Sequence, residues 1–98
     1  MYQKLYEEQE NSKVRFIGFT TDNIRYDFGI IYTSMFFGKP LVVCMQTGRS
    51  SLMDQNDVDN AELLKELFQL KNLEEANELS EILRDFVPAL EFSQEFVD

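Results

Sequence analysis

Ninety-eight residues, 44% hydrophobic and 13% aromatic, make one domain with one core and exclude a largely disordered chain. A formal net charge of −9 disfavours direct contact with nucleic-acid phosphates or with an anionic membrane surface. Histidine is absent and Cys44 is the single cysteine, which excludes an internal disulfide, a structural zinc site and the commonest general base.

The charge divides unevenly along the chain. Residues 1–53 carry five acids against six bases, and residues 54–98 carry thirteen acids against three bases. The hydrophobic pattern changes at the same point, from strand-like to helix-like. The first eight residues show no apolar signal core and no run approaches the ~20 apolar residues of a membrane span, so a cytoplasmic protein without a membrane segment is expected.

Residues 1–12 form a polar arm in which Tyr2, Leu5 and Tyr6 are the large apolar groups. The arm is either frayed or a short edge strand. Residues 13–20 read as a strand, and Thr21-Asp22-Asn23 as a turn. In residues 24–33, Ile24, Tyr26, Phe28, Ile30 and Tyr32 alternate with Arg25, Asp27, Gly29, Ile31 and Thr33, the period of two of a half-buried strand. Ser34 to Pro40 is a connection in which Gly38 supplies a positive φ. Residues 41–47 are a nearly continuous apolar run suited to a central strand, and after Gly48 residues 49–53 make one more short strand. Short connections favour an antiparallel meander.

Beyond residue 53 the period lengthens. Asp54 to Asn60 is a polar loop leading into a helix, with Asp59 and Glu62 as its capping pair. Leu63, Leu64, Leu67, Phe68 and Leu70 form the apolar stripe of a helix over about 60–70. Asn72 with Glu75 caps a second helix, whose stripe runs through Ala76, Leu79, Ile82, Leu83, Phe86 and Val87 and which ends near residue 86 or 87, before Pro88. Residues 88–98 are an acidic tail holding Leu90, Phe92, Phe96 and Val97. The expected fold is therefore α+β, a small antiparallel sheet of three to four strands (13–53) with two C-terminal helices (54–87) on one face, in a single domain of residues 1–98. The opposite strand face is not cleanly polar, because Val14 and Phe16 lie opposite Ile17 and Phe19 and both faces of 41–45 are apolar. Tail, arm or a second subunit must cover it, and a symmetric homodimer is the simplest closure.

Candidate chemistry is sparse. Asp54, Asp57 and Asp59 lack the glycine and the terminal glutamate of a calcium loop, since Asp59 and Lys65 stand at those positions. No metal or cofactor is expected, and no catalytic residue can be named. Gln46, Thr47, Arg49 and Ser50 around Gly48, with Arg25, could bind an anion. In the structural reading the same residues form a turn at a solvated edge, with Arg25, Asp27 and Arg49 in a cross-strand ion network. Phe36 and Phe37 beside Gly38 are either tucked under the sheet or exposed for a partner.

Arg25-Tyr26-Asp27, Gly38-Lys39-x-Leu41-Val42 and Met45-Gln46-Thr47-Gly48-Arg49 resemble, in order and spacing, a short uncharacterised domain-of-unknown-function family of cytosolic Firmicutes proteins. The resemblance spans about residues 14–86. It departs from the family pattern at Leu52 to Val58, where a glycine is missing. It implies a bacterial, cytosolic protein and transfers no mechanism. The leading expectation is a non-enzymatic, self-associating interaction or regulatory module, with Phe36, Phe37, Phe92 and Phe96 meeting a protein partner. The alternatives are an anion-binding protein or weak enzyme centred on Arg25, Gln46 and Arg49, and an acidic mimic of nucleic acid.

Overall fold

A computed structural model of the protein describes residues 1–21 and 24–88. Four strands, β1 (Lys13–Thr21), β2 (Ile24–Tyr32), β3 (Leu41–Cys44) and β4 (Ser50–Leu52), form one antiparallel sheet in chain order. Three helices follow, α1 (Gln55–Val58), α2 (Ala61–Leu67) and α3 (Leu73–Arg84). Residues 1–12 belong to no regular element, and the expected α+β meander is present. The centre of the turn expected at Thr21–Asn23, and the tail from residue 89, lie outside the described residues.

The register assigns each side chain its face. Phe28 stands between Ile17 and Cys44, and Ile30 between Arg15 and Val42, so Tyr26, Phe28, Ile30 and Tyr32 share the inner face with Ile17, Phe19, Val42 and Cys44. The helices cover that face. Phe28, Ile30, Val42, Cys44 and Met53 are buried with Leu64, Phe68, Leu70, Ala76, Leu79, Leu83 and Val87 in one cluster. Phe68 meets Phe28 edge-on, with ring centroids 5.2 Å apart. Fully burying one such side chain stabilises a fold by roughly 1.5–3 kcal/mol.

Polar contacts fix the two layers in place. The Tyr32 hydroxyl donates to the Phe86 carbonyl at 2.6 Å and the Tyr26 hydroxyl to Glu75 at 3.1 Å, while within the helical layer the buried Ser80 hydroxyl of α3 donates to the Val58 carbonyl of α1 at 2.7 Å. The Arg15 guanidinium lies 4.4 Å above the Phe86 ring. A cation over an aromatic face is attracted by the ring quadrupole, so this contact holds the residue after α3 against the edge strand.

Four boundaries differ from the sequence expectation. The run 41–47 is a strand only to Cys44. Gly48, at φ +75°, returns the chain so that its N–H reaches the Cys44 carbonyl at 2.8 Å, and Met45 to Thr47 become the loop. Three helices stand where two were expected. Asp54 accepts from the Asp57 N–H at 2.9 Å while Asp57 accepts from the Asp54 N–H at 3.0 Å, a reciprocal cap that opens α1. The cap of α2 is Asn60, accepting from the Leu63 N–H at 3.1 Å, rather than Asp59, whose carboxylate pairs with Arg84 at 2.9 Å. Finally, α3 ends at Arg84 and a turn at the Leu83 carbonyl carries the chain to Val87. The Asn72 cap is as expected, accepting from the Glu75 N–H at 2.9 Å. Between α2 and α3, Gln69 takes φ +54° and the Leu70 N–H returns to the Lys65 carbonyl at 2.9 Å, a left-handed helix stop usually made by glycine.

Candidate interaction face

The outer face of the sheet follows from the same register. One transverse row is Val14, Ile31, Leu41 and Leu52, and the next is Phe16, Gly29, Val43 and Ser50. Phe16 is 74% exposed and Met45 54%, and Val14 and Phe36 are nearly half-exposed. Gly29 has a steric reason. A Cβ there would stand 3.2 Å from the Phe16 ring, so the missing side chain is the space the ring occupies, with Met45 beside it. Val14, Ile31, Leu41 and Leu52 with Val43 and the lying Phe16 ring thus produce an apolar surface on which none of α1 to α3 lies.

The two ends of this face differ. At the end nearer residues 20 and 25, Arg25 donates to both Asp27 oxygens at 3.1 Å, and the Gln46 amide donates to Asp27 at 2.8 Å while accepting from the Asp27 N–H at 2.9 Å. These contacts, the Arg25 hydrogen bonds first and Gln46 next, hold the Asp27 carboxyl below its ordinary value. Gly18 stands opposite, where a Cβ would lie 2.7 Å from an Asp27 oxygen, so the glycine leaves room for that carboxylate. The expected ion network therefore joins Arg25, Asp27 and Gln46, and Arg49 stands outside it, exposed and without an ion pair among the described residues.

At the other end, Glu10 fastens the arm to the sheet. Its carboxylate accepts from the Thr33 hydroxyl, from the Ser34 hydroxyl at 3.0 Å and from the Ser34 N–H at 3.4 Å. The Thr33 contact is the first cause of a Glu10 carboxyl held below its usual value, so this anchor remains ionised through neutral pH. Next to it opens a pocket of about 440 Å³. Glu10 and Thr33 form its polar rim, and Ile31, Met35, Phe36, Leu41 and Leu52 its apolar wall.

The loop bearing Phe36 is unusual in its backbone. Phe36 and Phe37 have φ of +53° and +61°, ahead of Gly38 at +76°. A left-handed residue other than glycine costs about 1–2 kcal/mol, and here two occur in succession. The turn is closed by the Gly38 N–H on the Met35 carbonyl at 3.0 Å. Gly38 has the expected positive φ, and both phenylalanines are exposed, Phe36 toward the pocket. Phe92 and Phe96 lie outside the described residues.

At the anion site expected around Gly48, Gln46 is engaged by Asp27 and two backbone donors are already used. The Gly48 N–H serves the Cys44 carbonyl at 2.8 Å and the Arg49 N–H serves the Thr47 hydroxyl at 3.2 Å. Ser50 opens β4 and is exposed. Cys44 is buried in the core, among the apolar groups of the inner face. No group of three or more acidic or cysteine side chains among the described residues could hold a metal, and no helix among them is long and apolar enough to cross a membrane. The prominence of Phe16 and Met45 was readable only as a two-sided apolar pattern. The Glu10 anchor had no sequence signal, because its partners are more than twenty residues away.

The chain belongs to the SAV0927-like family, which it matches over residues 5–85. The matched stretch includes every described strand and helix, the Glu10 anchor and the outer face. No curated protein is matched by the chain. The family's description carries no activity, so membership assigns no catalytic role to any residue.

Proposed function

We propose that the protein is a non-enzymatic interaction module that self-associates through the outer face of its sheet. The observation that carries this reading is the apolar row Val14, Ile31, Leu41 and Leu52 across β1 to β4, with Phe16, 74% exposed, beside it on the edge strand β1 and none of α1 to α3 covering it. A contiguous apolar surface of this kind is a liability on a monomer and is ordinarily sealed by a partner. The strained, exposed Phe36–Phe37 turn at one end adds support, since strain in a loop is retained where another contact rewards it.

Sedimentation equilibrium over a range of concentrations tests it. The protein should dimerise, and Phe16→Glu and, separately, Met45→Glu should each shift it to monomer while retaining the thermal unfolding transition. A protein that stays monomeric at high concentration, or a dimer indifferent to both substitutions, would sink the proposal.

Arg49 leaves room for a second reading, because its guanidinium has no ion pair among the described residues. An anion bound there at a hundred times its dissociation constant would add ~2.7 kcal/mol of stability. A rise in melting temperature with an anion panel, lost in Arg49→Ala, would favour this reading over self-association.

A further inference from the structure

The pocket beside Glu10 is built by separate parts of the chain. Ile31, Leu41 and Leu52 are neighbours in one transverse row on β2, β3 and β4 and supply its floor. The connection after β2 supplies Met35 and Phe36, and the arm supplies Glu10 beside Thr33. A volume of about 440 Å³ lies within the ~300–1,000 Å³ of small-molecule sites, where an apolar wall carries a few polar groups. Hydrogen bonds hold the rim. The Met35 N–H donates to the Thr33 hydroxyl at 3.0 Å, and that hydroxyl donates to Glu10. Loop, strand end and arm are thereby joined in one network, which fixes the carboxylate at the edge of the cavity before a ligand arrives.

The charge at that edge selects the chemistry of the ligand. Glu10 is the one charged residue that lines the pocket. Its carboxylate accepts from Thr33 and Ser34, which are neutral donors, and it belongs to no ion pair among the described residues. Neutral donors steady a negative charge without cancelling it. They use three of roughly four acceptor positions, so one remains for a ligand. An anion would meet repulsion at this rim, and a neutral donor would gain less there than a cation. The apolar side has its own preference. Phe36 and Met35 offer an aromatic ring and a polarisable sulfur, which suit an aromatic body. A lysine of a peptide brings an ammonium on a slender methylene stem, a poor match to a wall of five apolar residues.

We infer that this pocket binds a small molecule with an aromatic body and a single cationic amine. The body packs against Ile31, Met35, Phe36, Leu41 and Leu52, and the ammonium donates to Glu10. The site is complete within one chain, so the inference does not rest on self-association.

Titrations of the full chain followed by amide-resolved NMR test it, with phenylbutylamine and its isosteres phenylbutanol and phenylbutyrate. The amine should bind about fivefold tighter than the alcohol, the upper range for an exposed charge pair, and the carboxylate most weakly. The amide shifts should centre on Ile31 to Phe36, Leu41 and Leu52. Glu10→Gln should lower the amine to the affinity of the alcohol and leave the alcohol unchanged, whereas Phe36→Ala should weaken both. Should Glu10→Gln release the arm and weaken all three ligands, the ranking on the unmodified chain decides. An amine no tighter than the alcohol would overturn the inference. So would shifts spread over α2 and α3, the mark of diffuse attraction to an acidic protein. Nα-acetyl-lysinamide binding as tightly as phenylbutylamine would overturn the small-molecule assignment in favour of a peptide lysine.

Discussion

The two faces of the sheet are made from the same four strands and much the same side chains, yet they meet different environments. On the inner face Phe28 and Ile30 are fully buried beneath α2 and α3. On the outer face, one residue along each strand, Phe16 lies over Gly29 and Val14 stands beside Ile31, open to solvent. Apolar composition therefore does not by itself decide what is core. The helices can cover one side only, and strands with apolar residues on both faces leave a second surface that needs another cover. Polar anchoring divides along the same line. Tyr26 and Tyr32 bind across to the helical layer, within which Ser80 ties α3 to α1. Asp27 and Glu10 organise the two ends of the open face.

The contrast is sharpest in paired truncations. Phe28→Ala removes a buried ring packed edge-on against Phe68 and should cost about 3–5 kcal/mol in urea unfolding. Phe16→Ala, measured at concentrations too low for self-association, should change stability by no more than about 0.5 kcal/mol. Similar losses at the two positions would erase the distinction between the faces.

A smaller effect is expected where the sheet hands over to the helices. The Asp54 carboxyl is held below its ordinary value, first by the Asp57 N–H, with Lys39 at 3.4 Å contributing. A lowered carboxyl stabilises the fold above the ordinary carboxylate range, and that contribution disappears as pH falls through the lowered value. Asp54→Ala should therefore cost about 1 kcal/mol at neutral pH, and the gap to the unmodified protein should close in strong acid. Urea titrations at the two pH values measure it, and a gap that persists unchanged in acid would show that the cap does not act through its charge.

A further effect belongs to the inner face and shows only at high pH. Burial first, and then donation to Glu75, pushes the Tyr26 phenol up to about 12. A raised phenol keeps its proton in the folded state while the unfolded chain loses one, so stability should decline as pH climbs from about 10 toward 12. Tyr26→Phe should flatten that decline, as followed by thermal melts with an ultraviolet tyrosinate titration. An unaltered slope in Tyr26→Phe would place the alkaline sensitivity elsewhere.

The strand and helix order was legible in the chain because period two and period 3.6 are local properties. The alternation from Arg25 to Tyr32 and the stripe from Ala76 to Leu83 each repeat within one element. The Asn72 cap and the positive φ of Gly38 were legible for the same reason, since each depends on its immediate neighbours. Competing local choices were not. Asp59 and Asn60 are both capable caps, and Asp59 was claimed by Arg84, twenty-five residues away, leaving Asn60 to cap α2. The ion network expected around Arg25, Asp27 and Arg49 formed without Arg49, because the Gly48 turn placed Gln46 over Asp27 instead.

By itself, then, the sequence determined the element types, the meander and the existence of two apolar strand faces, all consequences of short-range periodicity and short connections. Only the tertiary structure decided which of those faces the helices took, that Glu10 would fasten the arm beside an open pocket, and that Phe36 and Phe37 would be held left-handed and exposed. Those outcomes depend on contacts between residues far apart in the chain. A pattern read along one strand shows that a face is apolar, but what lies above it is set by elements folded from elsewhere.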